Sequence, residues 1–107
     1  IIIVSKYLIP KGYAALTFFP FVILREKHME NNTILINHEK IHLRQQAELL
    51  ILPFYVLYIS EFIIRFIKHR NFQKAYKNIS FEKEAYSNDS NPNYLGTRKI
   101  WNFIKFI

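Results

Sequence analysis

The segment His38-Glu39-Lys40-Ile41-His42 restricts the fold more than any other part of this chain. In an α-helix each residue turns by about 100°, so His38 and His42 lie about 40° apart and roughly 6 Å apart along the axis. Both imidazoles can then reach one metal ion, with Glu39 beside them and able to touch a water molecule on that ion. The alternative interpretation is a helix that carries two surface histidines of no special function.

Length and composition limit what surrounds this helix. The 107 residues predict one domain, 1–107, with a single core and a shallow groove. Half of the residues are hydrophobic and 17% are aromatic, more than so small a domain easily buries. Some apolar surface is therefore expected to meet a membrane, a partner protein or a second copy of the chain.

Charge and cysteine content narrow the chemistry further. The chain has no cysteine, so a metal must be held by His and carboxylate side chains, and the compartment is left open. The net charge of +7 favours anionic partners such as nucleic acid or acidic lipid, although a solvated basic surface explains it equally well. The apolar run at residues 1–4 is too short for a signal-peptide core, and the absence of an initial Met leaves room for a segment upstream.

The N-terminal third has β-strand character. Residues 13–25 are rich in Phe, Val, Ile and Thr and predict one or two strands. Pro20 lacks an N–H donor, so its strand is predicted to lie at a sheet edge. A polar loop follows, and Asn32 or Thr33 is expected to cap a helix that runs to about Leu50.

That helix is predicted to have three faces. The core face is expected to carry Ile36, Leu43, Ala47 and Leu50. The solvated face carries Lys40, Arg44 and Glu48, and the third face carries His38, His42, Gln45 and Leu49. The third face lies between the other two, which suits ligands that open on a groove.

A second, apolar helix is predicted from about Phe54 to Arg70. A membrane span needs about twenty apolar residues, and this stretch is interrupted by Pro53 and by two charges. It is interpreted as a core helix with a solvated edge or as a helix that docks on a membrane surface. Its polar stripe is Tyr58, Glu61, Arg65 and Lys68, and its basic end is Lys68, His69, Arg70, Lys74 and Lys77.

The C-terminal third contains a candidate for a third metal ligand. A catalytic zinc ion usually has three protein ligands, so a carboxylate on another helix is expected downstream. A helix is predicted at residues 79–86 with Ser80 as its cap, and on it Glu82 and Tyr86 share a face while Glu84 points away. Ala85 is small enough to allow close approach to the histidine helix. A loop at 88–92 and a terminal helix at 94–107 complete the chain.

Together the two motifs resemble the gluzincin class of zinc metallopeptidases, in which H-E-x-x-H is followed some tens of residues later by E-x-x-A-D. Residues 38–42 and 82–86 match this pattern in order and spacing. Residues 20–24 are similar to the edge strand of membrane zinc peptidases of the antirepressor-sensor type, and the chain is similar in length to the minigluzincins. The resemblance implies an α+β fold: a small zincin-like domain with a short N-terminal β-sheet and its edge strand, an active-site helix, an apolar second helix, a glutamate helix and a C-terminal helix.

The resemblance also implies a site and an activity. His38, His42 and Glu82 are the expected Zn²⁺ ligands, and Glu39 is the expected general base of a peptidase whose edge strand lays out the substrate antiparallel. The family's aspartate, which orients the first histidine, is replaced by Tyr86, and a phenol brings no negative charge to that ligand. The candidates for an oxyanion donor are Tyr94, Arg98, His69 and Tyr86.

Two other functions are weighed against the peptidase. One is a catalytically silent or latent metal-binding module that docks on a membrane surface or a partner protein, with the apolar tail 100–107 lying across the site. The other is nucleic-acid binding, which only the charge and the basic cluster at 68–77 favour. A peptide or protein substrate is the expected partner of the peptidase.

Overall fold

The N-terminal part of the chain forms a three-stranded sheet in the computed structural model, which describes residues 1–10 and 12–107. Its strands are β1 (Ile2–Val4), β2 (Ala15–Phe18) and β3 (Phe21–Leu24), in the order β1-β3-β2. β1 runs parallel to β3, and β2 runs antiparallel to it. The helices that follow make the fold α+β, as the sequence predicts.

The edge position predicted for the Pro20 strand is wrong, because β3 is the central strand. Pro20 lies in the turn between β2 and β3, so its missing N–H is not needed in the sheet. The sequence pattern predicts no strand at Ile2–Val4, but these residues form β1 and pair with Val22–Leu24. The edge strand beside the first long helix is therefore β2.

Helix α1 (Thr33–Leu49) begins where the sequence predicts, with the Asn32 side chain accepting a hydrogen bond from the Leu35 amide. Its predicted core face is wrong, because Ala47 and Leu50 are exposed. The side chains it buries are His38, Glu39, Ile41, His42, Gln45 and Gln46, of which only one is apolar. Burying polar groups is costly unless they are hydrogen-bonded, so this face depends on partners supplied by β2 and by a later helix.

Helix α2 (Ile51–His69) turns away from α1 by 112° at Leu50, whose φ of 65° lies in the left-handed region. Phe54 anchors it in a core cluster with Ile79, Phe81 and Phe103. Within the described residues no helix alone is long and apolar enough to cross a membrane, and only α1 and α2 taken together, across their bend, meet that criterion.

The remaining helices are short. Helix α3 (Phe72–Lys77), which the sequence interpretation missed, precedes α4 (Ser80–Asn88). Ser80 is the first helical residue and not the cap. Its amide and hydroxyl both donate to the Glu61 carboxylate of α2, at 2.9 and 2.6 Å, so a side chain from another helix satisfies this helix start.

The single terminal helix predicted over 94–107 is wrong. The chain forms α5 (Tyr94–Thr97), then an extended Arg98, and then a 3-10 helix (Asn102–Phe106). The break lets Arg98 reach carboxylates on α1 and α4, which a continuous helix would not allow. Phe103 packs on Phe81 of α4, with ring centroids 4.5 Å apart.

Candidate metal centre

Three ligand atoms converge between α1 and α4. The Nε2 atoms of His38 and His42 are 3.2 Å apart, and Glu82 Oε1 lies 3.2 Å from the first and 3.1 Å from the second. All three side chains are buried. Two residues one helical turn apart and a carboxylate forty residues later thus form a triangle with nearly equal sides.

The triangle fits a tetrahedral metal ion. A zinc ion with bonds of about 2.0–2.1 Å separates its ligand atoms by about 3.3–3.4 Å, close to the separations among His38, His42 and Glu82. Two imidazoles and one carboxylate are also a donor set that zinc uses in catalytic sites. A carboxylate oxygen of Glu39 lies within 4.8 Å of both histidine ligand nitrogens. The residues present therefore fit zinc, and a buried group that could hold a metal ion is what the structure supports directly.

A carboxylate orients the first histidine, although it is not at the position that the sequence suggested. His38 Nδ1 lies 3.0 Å from Asp89 Oδ2, whereas Tyr86 packs its ring edge-on against the His38 ring with centroids 4.5 Å apart. Asn37 donates its amide to the backbone carbonyls of Asp89 and Asn91, which fixes the end of α4 beside His38. The negative charge that Tyr86 does not bring to His38 is supplied by Asp89, three residues later.

The second histidine is held by an amide that is itself held by a buried ion pair. His42 Nδ1 lies 2.8 Å from Gln45 Oε1, and Gln45 donates its amide to Glu84 Oε1 at 2.9 Å. Glu84 is paired with Arg98, and both side chains are fully buried. Burial alone would raise the pKa of Glu84, but hydrogen bonds from Arg98, Tyr94 and Gln45 lower it. This buried pair lies behind His42 and does not belong to the metal-facing triangle.

Glu82 is oriented through its second oxygen. The Tyr58 hydroxyl of α2 donates to Glu82 Oε2 at 2.6 Å, which leaves Oε1 directed at the two histidines. Burial alone would raise the pKa of Glu82, but His42, His38 and Tyr58 hold it well below its usual range. Burial alone would lower the pKa of His42, and the negative Glu82, with Glu39 and Gln45, raises it to about 9. The site thus concentrates negative charge that attracts a cation.

A hydrogen bond from the sheet fixes the Glu39 carboxylate. Thr17 of β2 is buried and donates its hydroxyl to Glu39 Oε2 at 3.0 Å. Within the described chain no hydrogen bond reaches Glu39 Oε1, and this atom is not a buried unsatisfied one. One carboxylate oxygen is therefore fixed while the other opens toward solvent beside the histidines.

The edge strand β2 is fastened to α1 by a second glutamine. Gln46 donates to the Thr17 carbonyl at 2.9 Å and accepts from the Phe19 amide at 2.7 Å, while Tyr55 of α2 donates to the same carbonyl at 2.7 Å. The Arg25 amide donates to the Ala14 carbonyl, so the backbone groups of Ala15 face away from β3. The outer edge of β2 is thus occupied at Thr17 and open around Ala15.

Two cavities of about 370 Å³ each flank Glu39 along this edge. The first is bounded largely by aromatic side chains: Tyr13, Phe54, Tyr55, Tyr58, Phe62, Phe72 and Tyr76. The second is more polar and is bounded by His38, Tyr86, Asp89 and Gln73 among others. No residue of segment 94–107 is among those that line either cavity, so the expected position of the apolar tail across the site is wrong. The two cavities beside Glu39, one apolar and one polar, are together called the groove.

Tyr76 of α3 lines both cavities, as Glu39 does. Burial raises the pKa of Tyr76, and Glu82, Tyr86 and Glu39 raise it further, so its phenol stays protonated and can donate. Of the four donors considered from sequence, Tyr94 and Arg98 are instead bound to Glu84.

Sequence reasoning missed five residues that position the site or line its cavities: Thr17, Gln46, Tyr58, Tyr76 and Asp89. One of them carried a readable signal. Asp89 is seven residues after Glu82, almost two helical turns, and directly follows α4, so both lie on the same side of that helix. The others lie on β2, α1, α2 and α3, and their proximity depends on how those elements pack. Their roles are therefore visible only in the folded chain.

No protein-family model matches this chain, and neither a curated protein nor a solved structure matches it. The gluzincin resemblance consequently rests on the chain's own residues, of which the structure supports the buried His38, Glu39 and His42 cluster.

Proposed function

We propose that this protein is a zinc-dependent peptidase in which His38, His42 and Glu82 hold the metal and Glu39 is the general base. The observation that carries the proposal is the triangle of two Nε2 atoms and one Oε1 atom with sides of 3.1–3.2 Å. Bound there, zinc would supply a Lewis acid that activates a water molecule and polarises a carbonyl group.

Glu39 suits the role of base because its two oxygens differ. Thr17 holds Oε2, so the carboxylate cannot rotate freely, and Oε1 remains open to accept a proton and to deliver it to a leaving amine. Among the described residues Glu39 forms no hydrogen bond with His38, His42 or Glu82, which leaves its carboxylate available to act as the base.

The substrate is proposed to lie antiparallel to β2. The backbone groups of Ala15 face outward, and Gln46 and Tyr55 end the open edge at Thr17, so a peptide strand would pair around Ala15 and pass Glu39. Tyr76, which borders both cavities beside Glu39, is the proposed donor to the developing oxyanion. The aromatic cavity would receive a bulky apolar side chain of the peptide.

The alternative, a silent metal-binding module, is favoured by a missing aspartate, a shallow groove and an apolar tail across the site. Asp89 supplies the carboxylate to His38, and the 3-10 helix Asn102–Phe106 packs against α4 instead of the cavities. Neither observation now separates this chain from a working peptidase.

The deciding experiment compares Glu39→Gln with the wild type. We expect the variant to bind zinc with unchanged stoichiometry and to lose hydrolysis of a quenched fluorescent peptide library by roughly 10²–10⁴-fold, because the amide cannot accept the proton. The matched control is Glu26→Gln, an exposed acid outside the site, which should retain activity.

Three results would count against the proposal. Equal hydrolysis by Glu39→Gln and wild type would remove Glu39 from the mechanism. Zinc binding that persists in His42→Ala would remove the triangle as the metal site. A zinc-loaded wild type that cleaves no member of the library would favour the silent module.

A further inference from the structure

Helix α2 presents its apolar side to solvent. Its inward side carries Phe54, Tyr58 and Glu61. The Tyr58 hydroxyl donates to Glu82, and the Glu61 carboxylate accepts from Ser80. On the opposite side five aliphatic side chains are 52–75% exposed, and they repeat at helical spacing over about 24 Å: Leu52, Val56, Ile59, Ile63 and Ile67. This row, the outer row of α2, has the reverse polarity of an ordinary surface helix.

Ser60, the one polar residue on the outer side, forms its hydrogen bond within α2. The Ser60 hydroxyl donates to the Val56 carbonyl one turn earlier, at 2.7 Å, so it needs no hydrogen-bond partner outside the helix. The outer row is therefore apolar over its whole length and carries no unsatisfied polar group. A surface of this kind is stable against an environment that offers no hydrogen bonds.

Charge beyond the helix identifies the kind of environment. Residues 62–81 contain five basic side chains and no acidic one. Lys68, Arg70, Lys74 and Lys77 are exposed, and none of them forms an ion pair in the described part of the chain. An apolar row followed by exposed cations is complementary to a bilayer, with acyl chains beside the row and anionic headgroups beside the cations.

We propose that the outer row of α2 docks in the surface of a bilayer that contains anionic lipids, with the helix parallel to the membrane plane. A second copy of the chain is the competing occupant. Each copy carries a net charge of +7, so association of two copies is opposed by repulsion, whereas the same charge draws the chain to an anionic surface.

The proposal also orients the groove. Ile59 belongs to the outer row and also lines the aromatic cavity. Its neighbour Phe62 lines the same cavity. Docking would therefore place one wall of that cavity at the lipid surface. Membrane binding does not depend on the proposed peptidase function, and it can be measured on protein without zinc.

The experiment is co-sedimentation of the full chain with vesicles of phosphatidylcholine alone or with 30% phosphatidylglycerol, a composition we choose for strong charge contrast. We expect binding to the anionic vesicles, weakening as salt increases, and much weaker binding to neutral ones. The double variant Val56→Ser with Ile63→Ser should lose at least about tenfold in affinity, because two exposed side chains no longer enter the interface. The matched control is Ile34→Ser, an equally exposed isoleucine on α1.

One further double variant and two further measurements decide the outcome. Lys74→Gln with Lys77→Gln should weaken binding to anionic vesicles and leave binding to neutral ones unchanged. Unchanged far-UV circular dichroism in every variant keeps the comparison independent of unfolding. Absence of vesicle binding, or equal binding by Val56→Ser/Ile63→Ser and wild type, overturns the proposal. A wild-type dimer in sedimentation equilibrium that the same double variant dissociates assigns the outer row to a second copy instead.

Discussion

The two long helices divide their residues between inside and outside in opposite ways. Helix α1 buries His38, His42 and Gln45, whereas α2 exposes Val56 and Ile63. Every buried side-chain nitrogen and oxygen in the described chain has a hydrogen-bond partner, so the polar face of α1 is stable where it lies. Burial in this small domain therefore follows the supply of hydrogen-bond partners as much as hydrophobicity.

The largest effect is expected at the base of the polar face. Arg98→Met would leave the Glu84 carboxylate buried without its ion pair, and breaking such a pair costs about 3–5 kcal/mol. Urea unfolding of the zinc-free protein measures the loss, and Arg44→Met on the exposed side of α1 is the control. A loss below about 1 kcal/mol would mean that the polar interior is not held together by this pair.

Zinc binding is expected to have the second largest effect on the free energy of unfolding, through the polar face of α1. At a free concentration of 100 times Kd, a ligand that binds only the folded state adds about 2.7 kcal/mol to the free energy of unfolding. Thermal unfolding with zinc and with a chelator gives the difference. His42→Ala should lose the zinc-dependent part while His28→Ala, an exposed histidine, keeps it. An equal shift in both variants would locate the stabilising metal elsewhere.

The third prediction tests which residue of α4 supports His38. Asp89→Asn removes the charge that faces Nδ1, and loss of such a partner typically lowers metal affinity by about 10–100-fold. Tyr86→Phe keeps the ring that packs on His38 and should change zinc affinity little. Competition with a chromophoric chelator measures both. The reverse order of effects would return the orienting role to Tyr86.

The smallest change in the free energy of unfolding is expected on α2, and a matched substitution on α1 tests the difference between the two helices. Ile63→Ala removes an exposed side chain and should change the free energy of unfolding by no more than about 0.5 kcal/mol. Ile41→Ala, at the one apolar position in the buried face of α1, should cost about 2–5 kcal/mol. Both are measured by urea unfolding. A large loss for Ile63→Ala in lipid-free buffer would show that the outer row is already covered by another copy.

Local patterns predicted the elements of this fold better than their mutual positions. The Asn32 cap, the start of α1 and the closeness of His38 to His42 all follow from hydrogen bonding and rotation within one helix. Ala85 is fully buried between the helices, as its size predicted. The predicted core face of α1 is wrong because Gln45 and Gln46 are buried in place of apolar residues. Their amides find hydrogen-bond partners only when α1 packs against β2 and α4.

The sequence alone determined that two imidazoles and Glu39 lie together on a helix, because the helical period is set by backbone hydrogen bonds between near neighbours. Tertiary structure decided that Glu82 Oε1 completes the triangle, that Asp89 supports His38 in place of Tyr86, and that β2 is the edge strand. The contacts of Glu82 and Asp89 with the two histidines join residues 40 to 51 positions apart. Their geometry depends on how whole elements pack, which no local pattern specifies.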